Sequence, residues 1–286
     1  MKGDPASDAA GQAAGLAWLD FAVRAGRTRL VRAQIRPPLG IMRTLYLDEA
    51  LPDMAFAFLT NPTAGILQGD VQQIEVNVGE GARAHVTTQS ATKVFTMPAG
   101  AARQCVRLNV QAAATLEYLP DGTVPFRGAR LEASTDVVVH PGGTAIVGEV
   151  LSSGRAAMGE SFAYSKLGYR LTVRTPDGMP VYHEAFDLEP GRRSPAQLGV
   201  LAGHTALGTL LLIGEKAGAD PVVESVRAAL GAASARSGVS RLPLGAGIAI
   251  KLLGNDAAEV RTALTAAWAA ARPQLLGTVA PPLRKY

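Results

Sequence analysis

Three segments of this chain repeat one event: a strand with alternating apolar residues runs into a tight turn, and a second strand follows. Ile74, Val76 and Val78 lead into Gly79-Glu80-Gly81-Ala82, Val106, Leu108 and Val110 into Gln111-Ala112-Ala113-Ala114, and Leu131, Ala133, Thr135, Val137 and Val139 into His140-Pro141-Gly142-Gly143. Period-two alternation marks strands with one buried face. Val78, Val110 and Val139 stand at the same point of the three units, 32 and 29 residues apart. A strand, turn and strand of this length cannot bury its own apolar face, so such units stack and share a continuous core. The expected fold is mainly β, a stacked β-hairpin or β-solenoid-like body; a two-sheet sandwich would give similar patterning. The 31 glycines and 18 prolines, spread without a period through 286 residues, agree with frequent turns. Further strands are expected at Arg29–Arg36, Ile41–Leu47, Met54–Leu59, Tyr169–Arg174 and Val181–Leu188.

The C-terminal third changes period. Asp220 offers an N-cap with Pro221 at the first helical position, and Val222, Val223, Val226, Ala229 and Leu230 follow at helical spacing up to Gly238. Val239 to Leu253 reads as strand. A second helix is expected after Asn255, with Val260, Leu264, Ala267, Trp268 and Ala271 on one face and Pro273 as its stop. Two C-terminal amphipathic helices then pack on the β body. Residues 1–15 read as a flexible start and residues 16–286 as one domain, since no linker divides them.

Most chemistries are excluded by what the chain lacks. Cys105 is the only cysteine, so neither an intramolecular disulfide nor a cysteine-based zinc site can form, and a reducing cytoplasm fits. Asp4, Asp8 and Asp20 interrupt any apolar run near the start, and no stretch is long enough to span a bilayer, so neither secretion nor a membrane is expected. His85, His140, His183 and His204 are scattered, there is no nucleophile elbow, and no phosphate-binding glycine loop is present. Aromatic residues make up only 5%, which argues against stacking platforms for nucleic acid. Basic and acidic residues nearly balance at 28 and 24, but Arg24, Arg27, Arg29, Arg32, Arg36 and Arg43 form a run without Asp or Glu. That run reads either as a docking surface for an acidic partner or as a solvated face of alternating strands.

Acidic residues at turns and strand ends remain: Asp70, Asp121, Glu149 and Glu184. Paired carboxylates on a β-solenoid can act as general acid and base of a carbohydrate hydrolase or lyase. The same groups can line a passage for a borderline cation such as Ni²⁺, or stand as solvated turn residues.

Longer motifs are more specific. Asn61-Pro62-Thr63-Ala64-Gly65-Ile66-Leu67-Gln68-Gly69-Asp70, then Thr87-Thr88-Gln89-Ser90-Ala91-Thr92-Lys93-Val94-Phe95, Leu116-Glu117-Tyr118-Leu119-Pro120-Asp121 and Pro125-Phe126 follow one another. With Glu149-Val150-Leu151, Gly154-Arg155, Gly159-Glu160 and Leu188-Glu189-Pro190, this order resembles the urease accessory protein UreD family, also called UreH, from about Arg29 to Leu253. The resemblance implies a β-rich body with two helices and a maturation chaperone without catalysis of its own. Such a protein binds urease apoprotein and UreF, reaches UreG through UreF, and assists nickel delivery with no tightly bound cofactor. It also implies Asp70, Glu149 and Glu184 as lining of a transient nickel passage, with Asn61, Gly65, Gln68 and Gly69 shaping a loop. The competing expectation is the carbohydrate-active enzyme using the same acids.

Overall fold

The computed structural model describes residues 15–283. Its first half contains β1 (Gly15–Arg24), β2 (Arg27–Arg36), β3 (Gly40–Ile41), β4 (Ala55–Thr60), β5 (Val71–Val78), β6 (Arg83–Thr88), β7 (Thr92–Val94), β8 (Ala102–Val110), β9 (Thr115–Tyr118), β10 (Thr123–Pro125) and β11 (Arg130–Val139). There follow β12 (Thr144–Ser152), β13 (Gly154–Arg155), β14 (Glu160–Ser161), β15 (Lys166–Arg174), β16 (Pro180–Leu188) and β17 (Ala206–Ile213). The chain then passes through α1 (Asp220–Gly231), β18 (Arg236–Arg241), β19 (Gly247–Gly254) and α2 (Ala257–Leu276). The expected flexible start, residues 1–15, lies outside the described residues except for Gly15, which opens β1.

The repeat seen in the sequence is the framework of the fold, and the body is a stacked β-solenoid-like arrangement. β5, β8 and β11 lie side by side in parallel, with Val78 opposite Val110 and Val110 opposite Val139. β6, β9 and β12 form a second parallel stack. The two strands of one unit do not pair as a hairpin. They belong to different sheets, and the turn between them carries the chain across, so each strand pairs with its counterpart in the next unit. The three turns are alike: Ala82, Ala114 and Gly143 donate backbone N–H groups to the carbonyls of Gly79, Gln111 and His140. The third residue is left-handed in each, Gly81 at φ +67°, Ala113 at +54° and Gly142 at +75°, as a type II turn requires.

The stacks extend into a seven-stranded sheet, ordered β16-β15-β11-β8-β5-β1-β2, and a larger sheet whose main order is β18-β19-β17-β12-β9-β6-β4-β3. Between them lies an apolar core containing Leu19, Phe21, Val76, Leu108, Leu116 and Val147. The helices cover the other face of the larger sheet, where Val226, Leu230, Val260, Leu264 and Ala267 meet Ile146, Leu210, Ile248 and Ile250. A strand buried on both faces reads as a continuous apolar run; β12, Thr-Ala-Ile-Val-Gly-Glu-Val-Leu-Ser, is interrupted only by Glu149.

The element ends depart from the local sequence signals. The N-cap of α1 is Ala219, not Asp220, which sits in the first turn with Pro221 after it and pairs with Arg241. That helix ends at Gly231. Asp256 caps α2, accepting from Glu259 N–H at 2.8 Å, while the Glu259 side chain reaches back past the cap to accept from Asn255 N–H at 2.6 Å. Pro273 does not stop α2; the helix continues to Leu276 and is closed by Gly277 at φ +72°. The expected strand Val239 to Leu253 is two antiparallel strands, β18 and β19, joined through a 3₁₀ turn at Pro243–Gly245. Of the expected Ile41–Leu47 strand only Ile41 is in regular structure, as the last residue of β3, with an isolated bridge from Leu45 to Phe56.

Candidate functional site

Toward one end of the space between the sheets, the inward positions of several strands turn from apolar to polar. On β5 the series Val78, Val76, Ile74 ends at Gln72, and on β8 Val110, Leu108, Val106 ends at Gln104. On β12 the inward residues Ala145 and Val147 are followed by Glu149, and on β17 Ile213 and Leu211 by Thr209. The result is a cavity of about 60 Å³, enough for a few waters, whose wall includes Gln104, Tyr118, Asp121, Thr135, Glu149 and Thr209.

Glu149 dominates the electrostatics there. Burial pushes its carboxyl up to about 7; the hydrogen bond from Thr135 works against this, Glu184 raises it further and Lys251 lowers it. The Thr135 hydroxyl donates to Glu149 Oε1 at 2.8 Å. Burial also raises the hydroxyls of Tyr118 and Tyr169, and the charge of Glu149 adds to the effect.

Glu184 lies on β16, the edge strand of the seven-stranded sheet, and Lys251 reaches it from β19 in the other sheet. Lys251 also donates to Thr209 Oγ1 at 2.6 Å, and Tyr182 O–H to Glu184 Oε2 at 3.1 Å. Side-chain exposure of 38% for Lys251 and 19% for Glu184 makes this pair the solvent side of the polar line. From there Thr209 leads to the cavity and Glu149.

Glu149 and Glu184 therefore share one electrostatic neighbourhood, whereas Asp70 stands outside the lining of this cavity. The Asp70 carboxylate accepts the Leu67 N–H at 2.9 Å, while its own N–H donates to the Leu67 carbonyl at 3.1 Å, closing a turn before β5. In the same loop Asn61 Nδ2 donates to the Gly65 carbonyl at 2.9 Å, and the Gln68 side chain accepts the Ala99 N–H at 2.7 Å. Gly69 has φ +81°. Gly65 is small for another reason: a Cβ there would sit 2.5 Å from the Lys93 carbonyl oxygen. Among the described residues, no three His, Cys, Asp or Glu side chains converge as a metal-holding group, and no helix is long and apolar enough to cross a membrane.

A second set of charges escaped the sequence reading. Glu117 on β9 is fully buried; its Oε2 lies 2.7 Å from His85 Nδ1, and its Oε1 accepts from Trp268 Nε1 at 2.9 Å and Arg272 Nε at 2.7 Å. Arg272, also fully buried, donates to Asp48 Oδ2 at 2.8 Å and to the Val279 carbonyl at 2.6 Å. Burial opposes ionisation of Glu117, but the hydrogen bond and charge of His85, followed by those of Arg272, outweigh it and hold the carboxyl below its ordinary range. This network fastens α2 to the larger sheet. The available signals were an acid inside the apolar strand Leu116-Glu117-Tyr118 and an arginine four residues after Trp268, on the buried stripe of α2.

The family model described as UreD urease accessory protein matches residues 13–285. Urease accessory protein UreD 2 of Streptomyces griseus subsp. griseus is 37% identical over 273 residues, covering 95% of this chain and 93% of that protein. Urease accessory protein UreD of Haloarcula marismortui is 36% identical over 272 residues, covering 95% and 90%, and UreD 2 of Brucella suis biovar 1 is 35% identical over 266, covering 92% and 88%. With both the family pattern and the pairwise likeness running through nearly the whole length, the chain belongs to the UreD urease accessory protein family.

Proposed function

We propose that this protein is a cytoplasmic maturation chaperone for urease that assists nickel delivery to the apoenzyme along the acid-bearing line between its sheets. The observation that carries the reading is Glu149, a half-buried carboxyl facing a polar cavity between two otherwise apolar sheet faces. With its pKa near 7, it gives up its proton when a dication arrives and regains it when the ion leaves. Lys251 holds the place of a cation against Glu184 and yields to an incoming ion. Oxygen donors suit a carrier, since they hold Ni²⁺ less firmly than imidazole or thiolate.

Asp70 is proposed to act with this line from the neighbouring loop. Urease apoprotein and UreF are the proposed direct partners, with UreG reached through UreF. No catalysis is assigned to the chain. A cavity of about 60 Å³ is small beside the roughly 300–1,000 Å³ of ligand pockets, and Glu184 is neutralised by Lys251, which disfavours the carbohydrate-active reading. Coexpression with urease and its accessory proteins tests the role. Glu149→Ala and Asp70→Ala are each expected to leave the complexes intact and lower urease activation, whereas full activation by both variants would refute it.

A further inference from the structure

The arginine run noted in the sequence has a specific geometry. β2 is the terminal strand of the seven-stranded sheet, and β1 is its only strand partner among the described residues. Simple alternation would put Arg29 and Arg32 on opposite faces of β2. A bulge prevents this: Leu30 lies opposite Phe21 and Arg32 opposite Asp20, so Val31 is the extra residue. Phe21, Leu19 and Ala17 face the core, and their partners on β2 are Leu30, Ala33 and Ile35. The other register positions, Arg27, Arg29, Arg32, Gln34 and Arg36, consequently share the outer face. Bulges that re-aim side chains at a sheet edge are built features rather than defects.

Two aromatic rings hold these arginines in place. The Arg27 guanidinium lies 3.4 Å and that of Arg29 5.7 Å from the centre of the Tyr46 ring, and Arg32 lies 5.4 Å from that of Trp18. Among the described residues, the acids near Arg27, Arg29 and Arg32 have other partners as well, Asp53 pairing with Arg83 at 2.8 Å. Asp20 is 4.0 Å from Arg32 and accepts from Trp18 and Asn77, and Glu75 is 4.0 Å from Arg107. From Phe21 to Leu47 there is no acidic residue; Val31 within β2 is exposed, as are Met42 and Leu47 in the segment that follows. Charges that merely blunt an edge against aggregation need no aromatic platform. Arginine, methionine and aromatic residues together are the composition of interface cores.

At its start the edge of β2 is covered, since Thr28 N–H donates to the Asp53 carbonyl at 3.1 Å and the Thr28 carbonyl accepts from Tyr46 O–H at 2.7 Å; we infer that the remainder, Leu30 to Ile35, docks an acidic, extended segment of a partner protein by strand addition. The main chain of that segment continues the sheet, its acidic residues meet the outer-face arginines, and its alternate apolar residues extend the inner row of Leu30, Ala33 and Ile35. A second copy of this chain does not fit, because pairing β2 with itself sets arginine against arginine.

The full chain is titrated with a fluorescein-labelled decapeptide of alternating Glu and Val while amide exchange is followed. Saturable binding with protection of β2 amides is expected. Arg29→Glu combined with Arg32→Glu, both exposed positions, is expected to weaken binding at least tenfold without altering the circular dichroism. Methylating alternate backbone nitrogens of the peptide is expected to abolish binding. Failure of the peptide to bind, equal binding of the methylated peptide or of an alternating Lys and Val peptide, or displacement by a short oligouridine would each overturn the inference.

Discussion

Glu149 gives the most quantitative handle on the interior. Its folded-state pKa lies near 7 against an ordinary 4.5, so between those values the folded protein keeps a proton that the unfolded chain has released. Stability therefore falls as pH rises through that window. At about 1.36 kcal/mol per pKa unit, the full effect is about 3 kcal/mol. Glu149→Gln retains the shape and leaves the Thr135 hydroxyl an oxygen to bond, but removes the titration. Urea unfolding of both proteins at about pH 5 and about pH 8 isolates the residue, because other titrating groups cancel in the difference. The wild type is expected to lose up to about 3 kcal/mol relative to the variant between the two pH values. A difference that does not change with pH would show that Glu149 is not held in a desolvated site, and would remove the basis for proton exchange on cation entry.

Other outcomes follow from particular contacts. Arg272→Met leaves buried Asp48 without its cation and Glu117 with His85 but without its arginine and is expected to cost about 3–5 kcal/mol, partly recovered by adding Glu117→Gln, as denaturant midpoints will show. Ala113→Gly relieves a left-handed alanine at φ +54° and is expected to raise stability by about 0.5–1 kcal/mol, measured by thermal unfolding. Gly65→Ala drives a Cβ to 2.5 Å from the Lys93 carbonyl oxygen, and a loss of about 1–3 kcal/mol is expected in the same assay.

The repeat was legible because Val78, Val110 and Val139 mark one register in three neighbouring strands, and period-two patterning survives any choice of strand partner. The partner itself was not legible. A turn such as Gly79-Glu80-Gly81-Ala82 closes with the same bond whether its strands pair with each other or cross between sheets. Glu149 stood out because it breaks the apolar run of β12. Its company with Lys251, Thr135 and Thr209 depends on how the sheets stack, which no local pattern encodes. Arg272 was hidden for a related reason, since its acidic partners Glu117 and Asp48 lie 155 and 224 residues away in the chain. Pro273 shows tertiary contact overriding a local stop signal, as Arg272, immediately before it, is locked into the buried network.

The most direct test is the nickel content of urease matured in cells carrying Glu149→Ala together with Glu184→Ala, with copurification of the complexes checked in parallel. Assembled complexes with nickel-poor urease are the expected result. Urease carrying its normal nickel in those cells, with the double variant present and bound, would contradict passage along this line.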